Sequence, residues 1–194
     1  AHDTQRCPGV LDALVGAAEE TTSGLRPLRS FDLRIPVMAS NDARSKTLFD
    51  NAYGTGQSCW TTILDLIDPR GVGAPVAGMS VVVIGYGDVG RGCARFGAAL
   101  GARVTVVELD PVRALQASMD GFAVASLEEA AASAGMLISA TGERSTIPLS
   151  ALEVAPEGAI VTVAGGVDGE VSIDEAVAAS WVMAESGDPH VQTL

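Results

Sequence analysis

VVVIGYGDVGRGCARFGAALGARVTVVELD, residues 81–110, is the stretch whose reading decides the fold. Val81 to Ile84 is an unbroken β-branched run, the pattern of a parallel strand buried on both faces. Gly85, Gly87 and Gly90 follow as G-x-G-x-x-G. In such a turn the first glycine makes the bend, the second lets the backbone approach a pyrophosphate, and the third lets helix pack on strand. The helix that follows points its free N–H groups and positive dipole end at the phosphates. A second apolar strand, Val104 to Val107, ends in Glu108, eighteen residues after Gly90. A carboxylate there can accept both hydroxyls of an adenosine ribose and repels a 2′-phosphate. The stretch therefore predicts a dinucleotide site that takes NAD in preference to NADP. Glycines also serve ordinary tight turns, but here strand, glycines, helix, second strand and acidic end coincide. Arg91 and Arg113 are basic residues that could welcome a 2′-phosphate, and Glu108 outweighs them.

Outward from this stretch, strands are expected near 80–85, 103–108, 121–124, 136–140, 158–163 and 181–183. Helices are expected near 88–100, 111–119, 127–133 and 173–179, with a short helical turn near 148–152. Alternation of this kind predicts an α/β fold, a doubly wound parallel sheet of the Rossmann type. Its ligand crevice lies at the carboxyl ends of the strands. Thr141 and Gly142, and the segment Ala164 to Gly166 with Gly165 at its centre, are expected to line it.

The first seventy residues differ in kind. A helix is expected near 8–19, then an irregular stretch with Pro27 and Pro36, a short strand around 35–39 and a helix near 55–67. Pro69, Gly71, Gly73 and Pro75 read as a linker. The domain reading is a short N-terminal helical and irregular segment, 1–72, before a Rossmann-type domain, 73–194. The segment is too short to bury a core alone, so it is expected to pack on the domain or on a partner.

Of 194 residues, 47% are hydrophobic and only 4% aromatic, so the core must be mainly Val, Ala, Leu and Ile. A net charge of −12 repels phosphate backbones and anionic lipid, which excludes nucleic acid and membrane surfaces as expected partners. No apolar run approaches the roughly 20 residues of a spanning helix, and no signal-peptide pattern opens the chain. A cytoplasmic location is the expectation. Cys7, Cys59 and Cys93 are widely separated, with no C-x-x-C pair, so no disulfide framework and no metal site is predicted. Cys93 reads as a small buried helix residue. His2 and His190 lie near opposite ends of the sequence and are not assigned as ligands. The chain opens without methionine, which points to processing or to a cut boundary.

Four blocks carry a resemblance: EETTSG at 19–24, SKTLFDNAYG at 45–54, GYGDVGRGCA at 85–94 and VVELDPVRALQASMDGF at 106–122. In order and spacing the chain resembles the S-adenosyl-L-homocysteine hydrolase (adenosylhomocysteinase) family, as a truncated or divergent relative. That resemblance implies tightly held NAD used as a recycled catalyst. The substrate's ribose 3′-hydroxyl is oxidised, which acidifies the C4′ hydrogen; homocysteine leaves, water adds and the ketone is reduced again. It further implies that Glu20 and Thr21 contact substrate and that Thr22 and Ser23 contact the nicotinamide end. Lys46 takes the place of the base for the 3′-hydroxyl, with Asp50 beside it and Asn51 at the nicotinamide. Glu20 is a third candidate for proton transfer. Gly85, Gly87, Asp88, Val89, Gly90, Glu108 and Arg113 fall at the dinucleotide, Thr141 and Gly165 nearby. Read singly, Thr21 to Ser23 could form a turn, Asp50 and Asn51 could cap the next helix, and Lys46 could be a solvated lysine.

Departures from the family matter as well. Nothing in the chain corresponds to its large N-terminal substrate-binding part or to the tail beyond residue 194. Gly166 stands where the family has a histidine, Thr55 replaces a cysteine, and Arg113 replaces an asparagine near the adenosine ribose. The second acid/base of the hydrolase cycle thus has no histidine to fill it, and a carboxylate such as Glu20 is a poor match to that proton transfer, while the residues for NAD binding and alcohol oxidation remain. The expected function is an NAD-binding protein that oxidises a ribose-like hydroxyl of a small-molecule substrate, an adenosine derivative among them. The alternatives are a cofactor-binding part of a larger hydrolase and a non-catalytic NAD-binding or interaction protein. A homo-oligomer or a partner subunit is expected, because the family is oligomeric and Leu11 to Ala18 is an apolar stretch needing cover.

Overall fold

A computed structural model describes residues 13–71, 73, 75–181, 183–185 and 192–193. The chain divides into two compact units, Ala1–Leu48 and Phe49–Leu194.

In the first unit, β1 (Ala17–Glu19) pairs in parallel with β2 (Val37–Ala39), in the register Ala17 to Val37 and Glu19 to Ala39. The helix expected over 8–19 is not continued here; residues 8–12 lie outside the described residues, and Ala17 donates instead to the Pro36 carbonyl at 3.0 Å. Pairing with a non-local partner has overridden the helical preference of Ala-Ala-Glu. The stretch expected to be irregular contains α1 (Thr22–Ser30), started by Thr21, whose hydroxyl accepts from the Gly24 N–H at 3.0 Å. Pro27 sits inside this helix and reads in sequence as a breaker. A 3-10 turn (Ser40–Asp42) and one α-helical turn (Arg44–Lys46) then lead into a π-helical run, Thr47–Thr55, through which the unit boundary passes.

The second unit opens with the rest of that run and α2 (Gly56–Ile67). Alternating elements follow: β3 (Ser80–Ile84), α3 (Asp88–Ala99), β4 (Arg103–Val107), α4 (Pro111–Met119), β5 (Ala123–Val124) and α5 (Leu127–Ala131). The series continues with β6 (Met136–Ser139), α6 (Leu149–Val154), β7 (Ile160–Val163) and α7 (Ile173–Ala178). The five strands form one parallel sheet in the order β5-β4-β3-β6-β7. The order reverses between β3 and β6, which opens the ligand crevice at their carboxyl ends. The strand expected over 181–183 does not join this sheet: β8 (Ala184–Glu185) pairs antiparallel with β9 (Gln192–Thr193). β5 is shorter than expected because α4 closes through Gly121, at φ +95°, with the Phe122 N–H bonded to the Ala117 carbonyl at 3.0 Å. The domain boundary expected at 72/73 falls inside this unit, since α2 packs on α3.

The alternation of side chains along each strand sorts the core into two layers. Val81, Val83, Val106, Met136 and Ile138 face a cluster with Trp60, Cys93, Ala94 and Ala117. Val82, Ile84, Val107 and Leu137 face Ala130, Ala131, Ala134, Ile147 and Ala151 on the other side. Small residues let the helices approach: a β-carbon on Gly56 would lie 2.7 Å from the Gly92 carbonyl carbon, and one on Gly97 would lie 2.7 Å from Trp60 Cζ2. Trp60 settles its buried indole N–H on the Cys93 carbonyl at 2.8 Å. No helix among the described residues is long and apolar enough to cross a membrane.

Candidate functional site

β3 delivers the chain to Gly85, whose φ of +93° needs a residue without a β-carbon; a side chain there would also press on Thr141 Cγ2 at 2.9 Å. A β-carbon on Gly90 would overlap the Gly85 carbonyl oxygen, so α3 leaves the turn only with glycine at both places. Gly87 is different. It is the residue before α3, offers no side-chain cap, and has Arg113 Nη1 at 3.8 Å as the nearest atom to its missing β-carbon. The first N–H groups of α3 are thus left without a side-chain cap beside open space, which suits a pyrophosphate.

The neighbouring charges frame that space. Asp88, first in α3, is bound by Arg91 at 2.5 Å, and Val89 packs partly into the core beneath it. Arg113 lies by Gly87 and pairs with Asp110 at 3.9 Å. Glu108 is drawn back onto the backbone: Oε2 accepts from the Tyr86 N–H at 2.6 Å, and Oε1 from the N–H groups of Leu109 and Asp110 at 2.8 and 2.9 Å. This clamps the glycine turn to the end of β4. A carboxylate has about four acceptor positions, so one is left on Oε2 for a ribose hydroxyl, and a second hydroxyl must replace a backbone donor. The residues present fit a dinucleotide with an unphosphorylated ribose.

The loops after β6 and β7 complete the crevice wall. The Thr141 hydroxyl lies 2.6 Å from that of Thr146 and accepts from the Glu143 N–H at 3.0 Å, which ties its loop into a closed turn. Gly165 is required by a residue absent from the sequence reading, Glu170. That side chain is 1% exposed, takes the Ser139 hydroxyl at the end of β6, and occupies the place where a Gly165 β-carbon would stand. One buried carboxylate thereby joins the strand end before Thr141 to the loop around Gly165. Nothing in the sequence pattern marks it, because its partners lie on other strands and loops.

In the first unit, Thr21, Thr22, Ser23 and Lys46 are organised by two residues that sequence reading also passed over. Asn41, 4% exposed, accepts from the Thr22 hydroxyl and from Lys46 Nζ, each at 3.4 Å. Glu19, rather than Glu20, receives the Thr21 hydroxyl at 2.6 Å and the Thr21 N–H at 2.9 Å. Those bonds, the hydroxyl first, hold the Glu19 carboxyl below its usual range, with a lesser pull from Lys46. Ser23 is 3.5 Å from the Thr21 hydroxyl, and Glu20 is exposed. Asp50 and Asn51 ride on the π-helical run, the first exposed and the second buried. Wide helical turns of this kind are uncommon and frequent at functional sites. His2, His190 and Cys7 lie outside the described residues. Cys59 and Cys93, separate in sequence, come together in the fold: Cys93 belongs to the buried cluster on one face of the sheet, and Cys59 packs against that cluster.

Residues 51–192 match the family model described as S-adenosyl-L-homocysteine hydrolase, NAD binding domain. The chain is 47% identical over 166 residues to an adenosylhomocysteinase of Pyrococcus abyssi, covering 84% of this chain and 38% of that protein. It is 43% identical over 169 residues to an S-inosyl-L-homocysteine hydrolase of Methanothermobacter thermautotrophicus, covering 85% of this chain and 39% of that protein. The chain therefore spans about two fifths of the length of these curated relatives. Among solved structures, a dipicolinate synthase chain from Bacillus halodurans superposes with a TM-score of 0.59 at 17% identity, over 82% of this chain and 55% of that one. A phosphoglycerate oxidoreductase from Vibrio cholerae gives 0.54 at 17% identity, over 77% and 53%. These two likenesses are of fold alone.

Proposed function

Since this chain belongs to the S-adenosyl-L-homocysteine hydrolase family through its NAD-binding domain, we propose that it takes part in oxidising a hydroxyl of a nucleoside thioether. The observation that carries the reading is the glycine turn with the uncapped α3 N-terminus on one side and the Glu108 carboxylate on the other. When bound, NAD supplies the hydride acceptor.

The chain's own residues do the rest. The N–H groups at the start of α3 hold phosphate, Glu108 takes a ribose hydroxyl, and Thr141 and Gly165 shape the wall of the crevice. Lys46 accepts the proton of the substrate hydroxyl, and Asn41, which also accepts from the Thr22 hydroxyl, holds that amine in place. Asp50 and Asn51 serve the same end of the site, and Glu20 and Thr21 contact the substrate. The names of the relatives include both adenosyl and inosyl compounds, so the base is tested with each.

The experiment is to denature the purified protein, identify the released nucleotide by mass spectrometry, and follow NADH absorbance with S-adenosyl- and S-inosyl-homocysteine. Released NAD and a transient NADH signal that Lys46→Ala abolishes, with its nucleotide content unchanged, is the expected result. Absence of bound nucleotide together with no affinity for added NAD removes the reading. A second reading, the cofactor-binding part of a larger hydrolase assembly, is favoured by the share of the relatives' length that the chain spans. It expects bound NAD and no turnover of either compound by this chain alone.

A further inference from the structure

α2 and α3 meet at two glycines, and the contact continues into two sulfurs. A β-carbon on Gly56 would stand 2.8 Å from Gly92 Cα and 3.2 Å from the Cys93 nitrogen. Cys59 is one helical turn beyond Gly56 and so shares its face, while Cys93 directly follows Gly92. Cys59 packs against the buried cluster that contains Cys93, and the Trp60 indole fastens the Cys93 carbonyl beside them at 2.8 Å. Both thiols are free; Cys59 is half-buried and Cys93 fully buried. Cys59 is thus the more accessible residue of the two.

We propose that Cys59 and Cys93 form a peroxide-reactive dithiol, a modification site at which Cys59 is oxidised first and Cys93 closes on it as a disulfide. The electrostatics agree with that division of labour. The Cys93 side chain lowers the Cys59 thiol against the opposing effect of burial, and the Cys59 side chain and then burial push the Cys93 thiol up. Of the pair, Cys59 is the more readily ionised and so the first nucleophile.

The chemistry balances with hydrogen peroxide as the oxidant. The Cys59 thiolate attacks one peroxide oxygen, the O–O bond breaks, and the hydroxide released is protonated to water. Cys59 is left as sulfenic acid. The Cys93 sulfur, giving up its proton, attacks the Cys59 sulfur and expels the sulfenic oxygen as a second water. Two thiols have lost two electrons, and peroxide has become two waters. In a reducing compartment such a disulfide is transient and thiols restore the pair.

The test treats the full chain with hydrogen peroxide under native conditions, alkylates the remaining thiols and digests with trypsin. Cleavage after Lys46, Arg70, Arg91 and Arg95 puts Cys59 on peptide 47–70 and Cys93 on peptide 92–95, with Cys7 on a third. The expected product is 47–70 joined to 92–95, less two hydrogens, and separated again by dithiothreitol. Cys93→Ser is expected to leave Cys59 as a sulfenic acid captured by dimedone, and Cys59→Ser to leave Cys93 unoxidised. Oxidation of Cys59 beyond sulfenic acid while native Cys93 stays a thiol overturns the proposal. So does a disulfide through Cys7 in place of Cys93, an unchanged rate of Cys93 oxidation in Cys59→Ser, or no oxidation of Cys59. The readout is a covalent bond and stands whether or not the protein binds a dinucleotide.

Discussion

The two units hold their shape by different means. In the second, both faces of a parallel sheet are sealed by helices, and Val81, Val82 and Val83 are each 0% exposed. In the first, Leu25 and Asn41 are the buried residues among those described, and order comes from the Thr21–Glu19 and Asn41–Thr22–Lys46 hydrogen bonds. Apolar burial sums over large areas, whereas a net hydrogen bond contributes about 0.5–1.5 kcal/mol. The difference teaches where rigidity is put. The unit with the dinucleotide turn is built to hold one geometry, and the unit with Lys46 is built from contacts cheap to rearrange.

Breaking the sheet-based unit has the largest expected effect. Trp60→Ala removes the indole that fills the α2–α3 seam and the donor to the Cys93 carbonyl. A loss of about 3–5 kcal/mol is expected in denaturant unfolding of the second unit. Next, Gly90→Ala drives a methyl group into the Gly85 carbonyl, so α3 must shift from the turn. About 1–3 kcal/mol of stability is expected to go, and NAD affinity by calorimetry is expected to fall with it. An unchanged affinity would show that the turn does not hold the nucleotide.

The first unit gives smaller numbers by the same logic. Asn41→Ala deletes an acceptor shared by Thr22 and Lys46, and about 1 kcal/mol is expected to be lost locally. Faster amide exchange confined to Thr22–Ser30 and its surroundings, with the unfolding of the second unit unmoved, is the expected signature. Loss of stability in both units would collapse the distinction between them. The smallest effect is on titration. Glu19 lies below its ordinary value of 4.5, so its contribution to stability is present above that value and disappears as pH falls through the folded value. Thr21→Val removes the principal cause, and NMR titration is expected to show the Glu19 carboxyl moving up.

The same contrast explains what could be read beforehand. In the second unit, β-branched runs, G-x-G-x-x-G and the acidic end of the next strand are local signals. β3, α3, β4, α4 and Glu108 fall where they were expected. Among the N-terminal elements, the strand around 35–39 and the helix near 55–67 stand where they were expected, while the helix over 8–19 and the irregular stretch after it differ because their causes are non-local: Ala17–Glu19 is a strand only because Val37–Ala39 lies alongside, and α1 forms with Pro27 inside it. The π-helical run carrying Asp50 and Asn51 has no periodicity of its own to announce it. Glu19, Asn41 and Glu170 escaped notice because a carboxylate or amide reads as surface until its partners are known. Cys59 and Cys93, too far apart to pair by spacing, are brought together by the Gly56–Gly92 contact.

By itself, then, the sequence determined the parallel sheet, the glycine turn and the carboxylate at its edge, since period-two burial and a β-carbon-free bend are properties of neighbouring residues. Tertiary structure alone decided which polar groups are buried against which, and which sulfurs meet. Those contacts join residues remote in the chain, and their energies exist only once the packing that excludes water has formed.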